Sequence, residues 1–269
     1  MAWARAIRGY GVLVLAPLVL VACSSSGGSP GGERASASAT GSVRAEPGLR
    51  PEDSGGIDAD PARLPTTRKE ALDLIGRVIA EPDTFGPGVV KRSPYESDPA
   101  TWPVLGTDCI WRQEKPASSV LATLSRSFEV PAADGKGPMR LSAVVTVHRT
   151  RDDARWEMAE SVEETMRCPT QQLRQGELIG SMIAGSLGQE KGVMDSAEDF
   201  LLESGEYRNE ELGGGPYPYS WYLSQSLQFT VAVTGKGAKG RSEQEVDVLA
   251  NQAHAAMLLR LGDAVEKQS

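Results

Sequence analysis

The feature that most constrains the fold is a strand of alternating character over residues 141–148. Its apolar positions are Leu141, Ala143, Val145 and Val147, and the positions between them are Ser142, Val144, Thr146 and His148. This period of two predicts a strand with one buried face. Residues 131–138 contain the turn signal Asp134-Gly135, and another strand-like run ends just before them at Val130. The resulting hairpin predicts an antiparallel sheet.

Amphipathic helices flank these strands. The first is predicted to begin at a capping box, Thr67 to Glu70, and the last at a second capping box, Ser242 to Glu245. A middle helix is predicted to end at Cys168-Pro169. We expect it to bury an apolar stripe formed by Met158, Ala159, Val162 and Met166. Its acidic side chains are expected to face water, and they are Glu157, Glu160, Glu163 and Glu164.

The order of elements is helix, strands, helix, strands, helix, and the strands are joined by hairpins. This order predicts a single α+β domain over residues 67–269, in which an antiparallel sheet has its helices packed on one face. The proline-rich residues 85–106 are expected to form an irregular connection. The glycine-rich residues 173–193 fit either a weak helix or an extended segment.

The N-terminus has the parts of a secretory signal peptide: a basic start, an apolar run from Val12 to Leu20, and small residues before Cys23. The stretch Leu20-Val21-Ala22-Cys23 resembles the lipobox of bacterial lipoproteins. The resemblance implies that residues 1–22 are removed and that Cys23 carries diacylglycerol and a further acyl chain such as palmitate. Two or more buried acyl chains make a stable membrane anchor. A plain signal peptide or an uncleaved anchor is the alternative.

Residues 23–66 are rich in Ser, Gly, Ala and Pro and have few large apolar side chains. Such a segment buries too little surface to offset the entropy lost on ordering, so a disordered linker is expected. With the lipid on Cys23, this linker would hold the folded domain at the extracytoplasmic face of the cell membrane.

The chain has three cysteines. If Cys23 carries lipid, then Cys109 and Cys168 are an even pair in an oxidising compartment, and we expect a structural disulfide between them. The net charge of −8 disfavours nucleic acid as a partner, because the phosphate backbone repels an acidic protein. The expected partners are the membrane, through the anchor, and an unknown envelope ligand or protein.

Several short motifs occur together: Cys109-Ile110-Trp111, Asp153-Ala154 opening the helix that ends at Cys168-Pro169, Tyr207-x-Asn209, and Arg260-Leu261 in the last helix. This pattern over residues 67–262 resembles small actinobacterial envelope lipoproteins and the extracellular sensor domain of some actinobacterial serine/threonine kinases. The resemblance implies a lone ligand-binding or accessory domain without assigned chemistry. The kinase sensor pattern carries more than one disulfide, whereas this chain can form one.

Two stretches are candidate contact regions. Residues 216–222 are rich in aromatic side chains with a polar handle, which suit binding surfaces, and the candidates are Tyr217, Tyr219, Trp221 and Tyr222. Packing of this edge strand in the core is the alternative. The glycine-rich residues 176–192 would line a pocket, form a mobile flap, or be a poorly patterned core element.

The sequence has no serine-hydrolase elbow, no phosphate-binding loop and no metal-ligand spacing, while paired carboxylates for glycoside cleavage stay open as an alternative. His148 and His254 are expected to be ordinary surface or boundary histidines, and neither a metal site nor a cofactor is expected. No Gly-x-Ser-x-Gly elbow of an α/β-hydrolase occurs. The leading hypothesis is a non-catalytic ligand-binding or sensor module. A cell-envelope hydrolase is the alternative, and a structural partner of a membrane complex with an exposed apolar patch is a third possibility.

Overall fold

The computed structural model describes residues 56–185 and 196–267, which belong to one compact unit. The expected signal peptide, Cys23 and most of the expected linker lie outside the described residues. The described helices are α1 (Arg68–Val78), α2 (Pro82–Phe85), α3 (Arg151–Arg167) and α4 (Glu243–Val265). The described strands are β1 (Val90–Glu96), β2 (Trp102–Leu105), β3 (Trp111–Glu114), β4 (Val120–Val130), β5 (Met139–His148), β6 (Gln171–Arg174), β7 (Glu177–Gly185), β8 (Asp199–Asn209), β9 (Gly214–Ser226) and β10 (Phe229–Lys236).

Eight of these strands form one antiparallel sheet in the order β1-β4-β5-β10-β9-β8-β7-β6, and β2 pairs with β3 in a separate hairpin. The alternating strand of the sequence is β5, near the centre of the sheet. Its Val145 pairs with Leu124 of β4 on one side and with Val231 of β10 on the other. The predicted α+β class with an antiparallel sheet is therefore confirmed.

Helices α1, α2 and α4 cover one face of the sheet. Val145 and Val231 point to this face and share a core with Ile75 of α1, Phe85 of α2 and Met257 of α4, all of which are buried. Both predicted capping boxes are present, at Thr67 for α1 and at Ser242 for α4. Hydrogen bonding of the free backbone N–H groups fixes where these two helices begin.

Helix α3 lies on the opposite face, which corrects the expectation that the helices pack on one face. Its Met158 packs against Leu223 and Ala232, whose chain neighbours point to the other side of the sheet. A strand presents successive side chains to opposite faces. The sheet therefore has a helix layer on both sides, and the strand pattern alone could not show this because β5 carries Val144 and Thr146 on the second face.

The predicted inward face of α3 is correct for Met158 and wrong for Ala159, Val162 and Met166, which are exposed. Its buried residues are Ala154, Met158, Ser161 and Thr165. By contrast, Trp156 is 74% exposed and Met166 is 80% exposed. The inward residues are small or polar because α3 lies over polar strand positions and a cavity, so the helix has no wholly apolar surface to cover.

Two predicted boundaries were also wrong. The proline-rich connection contains strands β1 and β2, and the sheet accepts Pro94 because β1 is an edge strand, where proline removes no needed hydrogen bond. The folded part begins before residue 67, since Ile57 is buried in the core and Ala59 bridges to Glu266 after α4. The glycine-rich segment is extended through β6 and β7, while residues 186–195 lie outside the described residues.

The disulfide between Cys109 and Cys168 is present, with 5.5 Å between the two Cα atoms. It joins the turn before β3 to the C-terminal end of α3. Gln172 of β6 reinforces this junction by donating a backbone hydrogen bond to the carbonyl of Cys109 at 2.8 Å. None of the helices in the described part of the chain combines the length and the apolar character needed to cross a bilayer.

Candidate functional site

A cavity of about 250 Å³ lies between α3, the sheet face beneath it and the β2–β3 hairpin, and we call it the chamber. Its aromatic and aliphatic lining consists of Trp102, Pro103, Val104, Trp111, Val144, Leu173, Ile179, Tyr219, Trp221 and Ala232. Its polar lining consists of Thr146, Glu157, Glu160, Ser161, Glu164, Thr165, Gln171, Glu203, Thr234 and Lys236. A largely apolar cavity with a few polar groups is the usual form of a small-molecule site.

Aromatic side chains reach the chamber from two directions. Trp102 and Trp111 come from the hairpin, and Tyr219 and Trp221 come from β9. The indole N–H of Trp111 donates a hydrogen bond of 2.8 Å to the side-chain oxygen of Gln171, which is 3% exposed. This bond ties the hairpin to β6, and the disulfide ties it to the end of α3, so two links position the aromatic wall.

Carboxyl groups form the opposite wall. Glu157, Glu160 and Glu164 of α3 project into the chamber, and Glu203 of β8 meets them from the sheet. The sequence pattern predicted that the α3 glutamates face water. That prediction holds for Glu163, whose side chain is 59% exposed, but Glu157 and Glu164 are half-buried. Helical spacing of three and four residues places the lining glutamates on one side of α3.

Two of these carboxyl groups ionise with difficulty. Burial, together with the neighbouring Glu160 carboxylate, raises the pKa of Glu164 to about 7 against the opposing charge of Arg167. Burial also raises the pKa of Glu203 to about 7, although Thr165 stabilises the charged form by donating a hydrogen bond to Oε1. Taking a carboxylate out of water favours its neutral form.

His148 and Glu157 form a buried pair at one end of the chamber. Nε2 of His148 lies 2.6 Å from Oε2 of Glu157, which also accepts a hydrogen bond of 2.8 Å from Thr230. His148 was expected at the surface but is 2% exposed. Thr230 contacts the carboxylate and not the imidazole, so these three residues lack the nucleophile–base–acid order of a hydrolase triad.

A second, more polar cavity of about 610 Å³ adjoins the chamber past Trp111 and Val144, and we call it the trough. Lys236 lies where the two cavities meet, and its ammonium group is 3.1 Å from Oε1 of Glu177. The same oxygen accepts a hydrogen bond of 2.8 Å from Tyr207. Arg174 forms a second ion pair with Glu177, so two cations share one carboxylate at this junction, in contrast to the acidic wall of the chamber.

The four aromatic residues proposed from the sequence do not form one surface. Tyr219 and Trp221 line the chamber. Tyr222 points through the sheet to the α4 side, where its ring centroid is 5.9 Å from that of His254, a histidine that is 1% exposed rather than at a boundary. Tyr217 lies beside the chamber and donates a hydrogen bond to the carbonyl of Leu212. Alternation along β9 explains the split.

Sequence reasoning missed Trp102, Trp111 and Glu203 as chamber residues. Trp111 was visible in the Cys-x-Trp motif, and the disulfide partner at the end of α3 could have placed it beside that helix. Trp102 stands in the proline-rich stretch and carried no periodic signal. Among residues 56–185 and 196–267, no group of three or more His, Cys, Asp or Glu side chains is arranged to hold a metal ion.

No protein-family profile matches the chain, and no curated protein sequence matches it. Among solved structures, the chain is similar to the extracellular domain of PknH from Mycobacterium tuberculosis, with 13% sequence identity and a TM-score of 0.42. That alignment covers 75% of this chain and 94% of the PknH domain.

Proposed function

We propose that this chain is a non-catalytic ligand-binding or sensor module that stands at the outer face of the cell membrane on a lipid attached to Cys23. Its ligand is a small, largely apolar molecule that occupies the chamber. The single observation that carries the proposal is the chamber itself, an aromatic-walled cavity of about 250 Å³ held open by a disulfide and by the bond from Trp111 to Gln171.

The residues that line the chamber support a ligand-binding cavity over a packing defect of the hydrophobic core. A core of this size would bring its aliphatic side chains together, whereas here carboxyl groups face the aromatic wall across open space. Natural cores avoid such voids because each one forfeits van der Waals contact. A ligand that fills the chamber restores those contacts.

The direct test compares two tryptophan variants. Trp221 lines the chamber, whereas Trp156 stands 74% exposed on the outer side of α3. Trp221→Ala should weaken binding of a chamber ligand about tenfold, because a buried aromatic contact is removed. The matched control, Trp156→Ala, should bind as the unaltered protein does. If Trp221→Ala lowers the melting temperature together with the ligand affinity, the residue is structural and the proposal loses this support.

The anchor is tested by mass spectrometry of the protein recovered from membranes. The proposal expects a mature chain that begins at Cys23 with the mass of an added diacylglycerol and acyl group, and it expects Cys23→Ser to release the protein from membranes. An unmodified mature mass would contradict this part of the proposal and leave the chamber's role standing.

A cell-envelope hydrolase is the second candidate, and convergence of four carboxyl groups in the chamber favours it. Paired carboxyl groups cleave glycosidic bonds when one acts as acid and the other as base or nucleophile. Under this alternative, Glu203→Gln and Glu164→Gln would each retain ligand and abolish its conversion. Recovery of unchanged ligand after long incubation with the unaltered protein would rule the hydrolase out.

A further inference from the structure

We infer that the chamber selects an organic cation, a protonated amine carried on an apolar body, over neutral or anionic molecules of the same shape. This inference rests on the proposed function and names the class of ligand for the same site. The observations that carry it are the acidic wall, its member Glu203, which is 2% exposed and has one described hydrogen bond, and the aromatic wall that faces them.

The acidic wall is not neutralised by the described part of the chain. No basic side chain in residues 56–185 and 196–267 makes an ion pair with Glu160, Glu164 or Glu203; Arg167 of α3 pairs with Glu163 instead, at 2.9 Å. The basic residue in the described chamber lining, Lys236, is engaged by Glu177. The described lining therefore has four carboxyl groups against one ammonium group, and its net charge is negative at pH 8.

Glu203 supplies the most specific signal. Its side chain is almost completely buried, with 2% of the residue exposed, and it lines the chamber. Oε1 accepts the hydroxyl of Thr165, and no described donor reaches the other oxygen. A buried carboxylate without a counter-charge or a full set of hydrogen bonds is costly. An ammonium group that enters the chamber would provide both.

The aromatic wall matches such a ligand. Trp111 and Trp221 bring indole rings to the chamber, and indole faces attract cations more strongly than other aromatic side chains do. The aliphatic lining, including Val144 and Leu173, offers a surface for an apolar body. An anion would meet four carboxyl groups and one ammonium group, that of Lys236, in the described lining, and a neutral molecule would bring no counter-charge to Glu203.

Proton competition follows from the same geometry. Glu157, Glu160, Tyr219 on β9 and Lys236 on β10 line the chamber with Glu164 and Glu203, and His148 on β5 pairs with Glu157. The charges of Arg167 and of the solvent-exposed Glu163 act on Glu164 from outside the chamber. With pKa values near 7, Glu164 and Glu203 are mostly neutral at pH 5.5 and mostly ionised at pH 8. A cation should therefore bind more tightly at pH 8, where it replaces the bound protons.

The test uses matched probes on the full chain. Ligand-observed NMR is run with amines, alcohols and carboxylates built on the same phenylpropyl, cyclohexylpropyl and hexyl bodies, for example 3-phenylpropylamine, 3-phenylpropan-1-ol and 3-phenylpropanoate. At pH 8 the amine of a set should bind about tenfold more tightly than its alcohol, since a charge-assisted contact replaces a neutral one. The carboxylate should bind more weakly than the alcohol, and the preference for the amine should shrink at pH 5.5.

Two variants locate the effect. Glu203→Gln should lower the affinity for the amine about tenfold at pH 8 and leave the affinity for the alcohol unchanged. The control Glu163→Gln, on the solvent side of the same helix, should leave the affinities for both the amine and the alcohol unchanged. Melting temperatures at pH 5.5, where Glu203 is mostly neutral, report whether the variants fold.

The outcomes separate the two claims. If the amine, the alcohol and the carboxylate bind with equal affinity, the selection of a cation is overturned and the chamber stands as a ligand site. Preference for the carboxylate would overturn it as well. Failure of every probe in every set to bind would overturn the proposed function together with this inference.

Discussion

At the scale of single residues, burial favours the neutral forms of both Glu203 and His254 and therefore shifts their pKa values in opposite directions. Glu203 has a pKa near 7, above its ordinary value of 4.5, so the folded protein holds this proton more tightly than the unfolded chain does. Stability from this group is therefore present below pH 4.5 and is lost as pH rises to about 7. At neutral pH the chamber therefore holds a partly ionised, buried carboxyl group, and a perturbed pKa of this kind is typical of functional sites.

Glu203→Gln should stabilise the protein at pH 8 by about 2–3 kcal/mol and have little effect at pH 4.5, since an amide removes the buried charge and keeps an acceptor for Thr165. Urea unfolding at the two pH values measures the difference, with Glu163→Gln as the surface control. Destabilisation by Glu203→Gln at pH 8 would show that an unrecognised partner stabilises the carboxylate.

His254 behaves in the reverse sense. Burial lowers its pKa from 6.5 to about 4, and a hydrogen bond with the backbone of Val231 opposes this only in part. The unfolded chain therefore takes up a proton between pH 6.5 and 4 that the folded protein refuses, and stability falls as pH decreases through that range. The ring lies against Phe200 and Tyr222, so it serves as a neutral core residue.

His254→Leu should reduce the loss of stability between pH 6.5 and pH 4.5 by about 2–3 kcal/mol, because leucine has no proton to gain. The absolute stability at pH 7 is a separate quantity and does not enter the comparison. Denaturant titrations across this interval provide the measurement. An unchanged acid dependence would mean that His254 is charged in the folded protein.

At the scale of elements, α3 is the part that most departs from its expected role. It presents small and polar residues to the sheet and leaves Trp156, Val162 and Met166 exposed. Met158 is its large apolar contact with the sheet, at 3% exposure. The helix therefore acts as a wall of the chamber, and its stability comes from a few contacts, the Thr150 capping box and the disulfide at its end.

Two methionines of α3 test this orientation. Met158→Ala should cost about 2–4 kcal/mol, because it opens a void in a packed cluster. Met166→Ala should change the free energy of unfolding by less than about 0.5 kcal/mol, because the side chain is in solvent. Guanidinium unfolding of both variants gives the comparison, and a larger loss in Met166→Ala would reverse the assigned faces.

The disulfide connects the two movable walls of the chamber. It closes a separation of 59 residues and ties the hairpin with Trp111 to the end of α3. Replacing both cysteines, as in Cys109→Ala with Cys168→Ala, should cost about 4 kcal/mol in the chain-entropy account. Ligand affinity should fall as well, since the aromatic and acidic walls are no longer held at a fixed distance. Binding unchanged in the folded double variant would show that the walls are positioned by packing alone.

At the scale of the whole molecule, the elements that the sequence predicted well are those with local signals. The alternation of β5 and the capping boxes at Thr67 and Ser242 depend on neighbouring residues only, and each was placed correctly. The position of α3 depends on which sheet face carries a second layer. The available signal on that face was a set of apolar strand positions, Val144, Leu201, Trp221, Leu223 and Ala232. Polar positions such as Thr146 and Glu203 lie among them, so the pattern does not separate a half-covered face from a solvated one.

The chamber was harder to predict for the same reason. Its residues come from α3, the hairpin and strands on both sides of the sheet centre, so their proximity is set by tertiary packing. Tyr219 and Trp221 were found from local aromatic content, whereas Glu203 stood in an ordinary strand. Tyr222 shows the limit of composition, because the alternation of β9 was needed to separate it from its neighbours.

The most direct test of the central claim, that the chamber is the ligand site, is a ¹H–¹⁵N spectrum of the tryptophan indole groups during addition of 3-phenylpropylamine at pH 8. The account predicts that the signals of Trp102, Trp111 and Trp221 shift together with one affinity, while the signal of the exposed Trp156 stays in place. Binding that moves Trp156 alone, or that moves none of the three chamber signals, would contradict it.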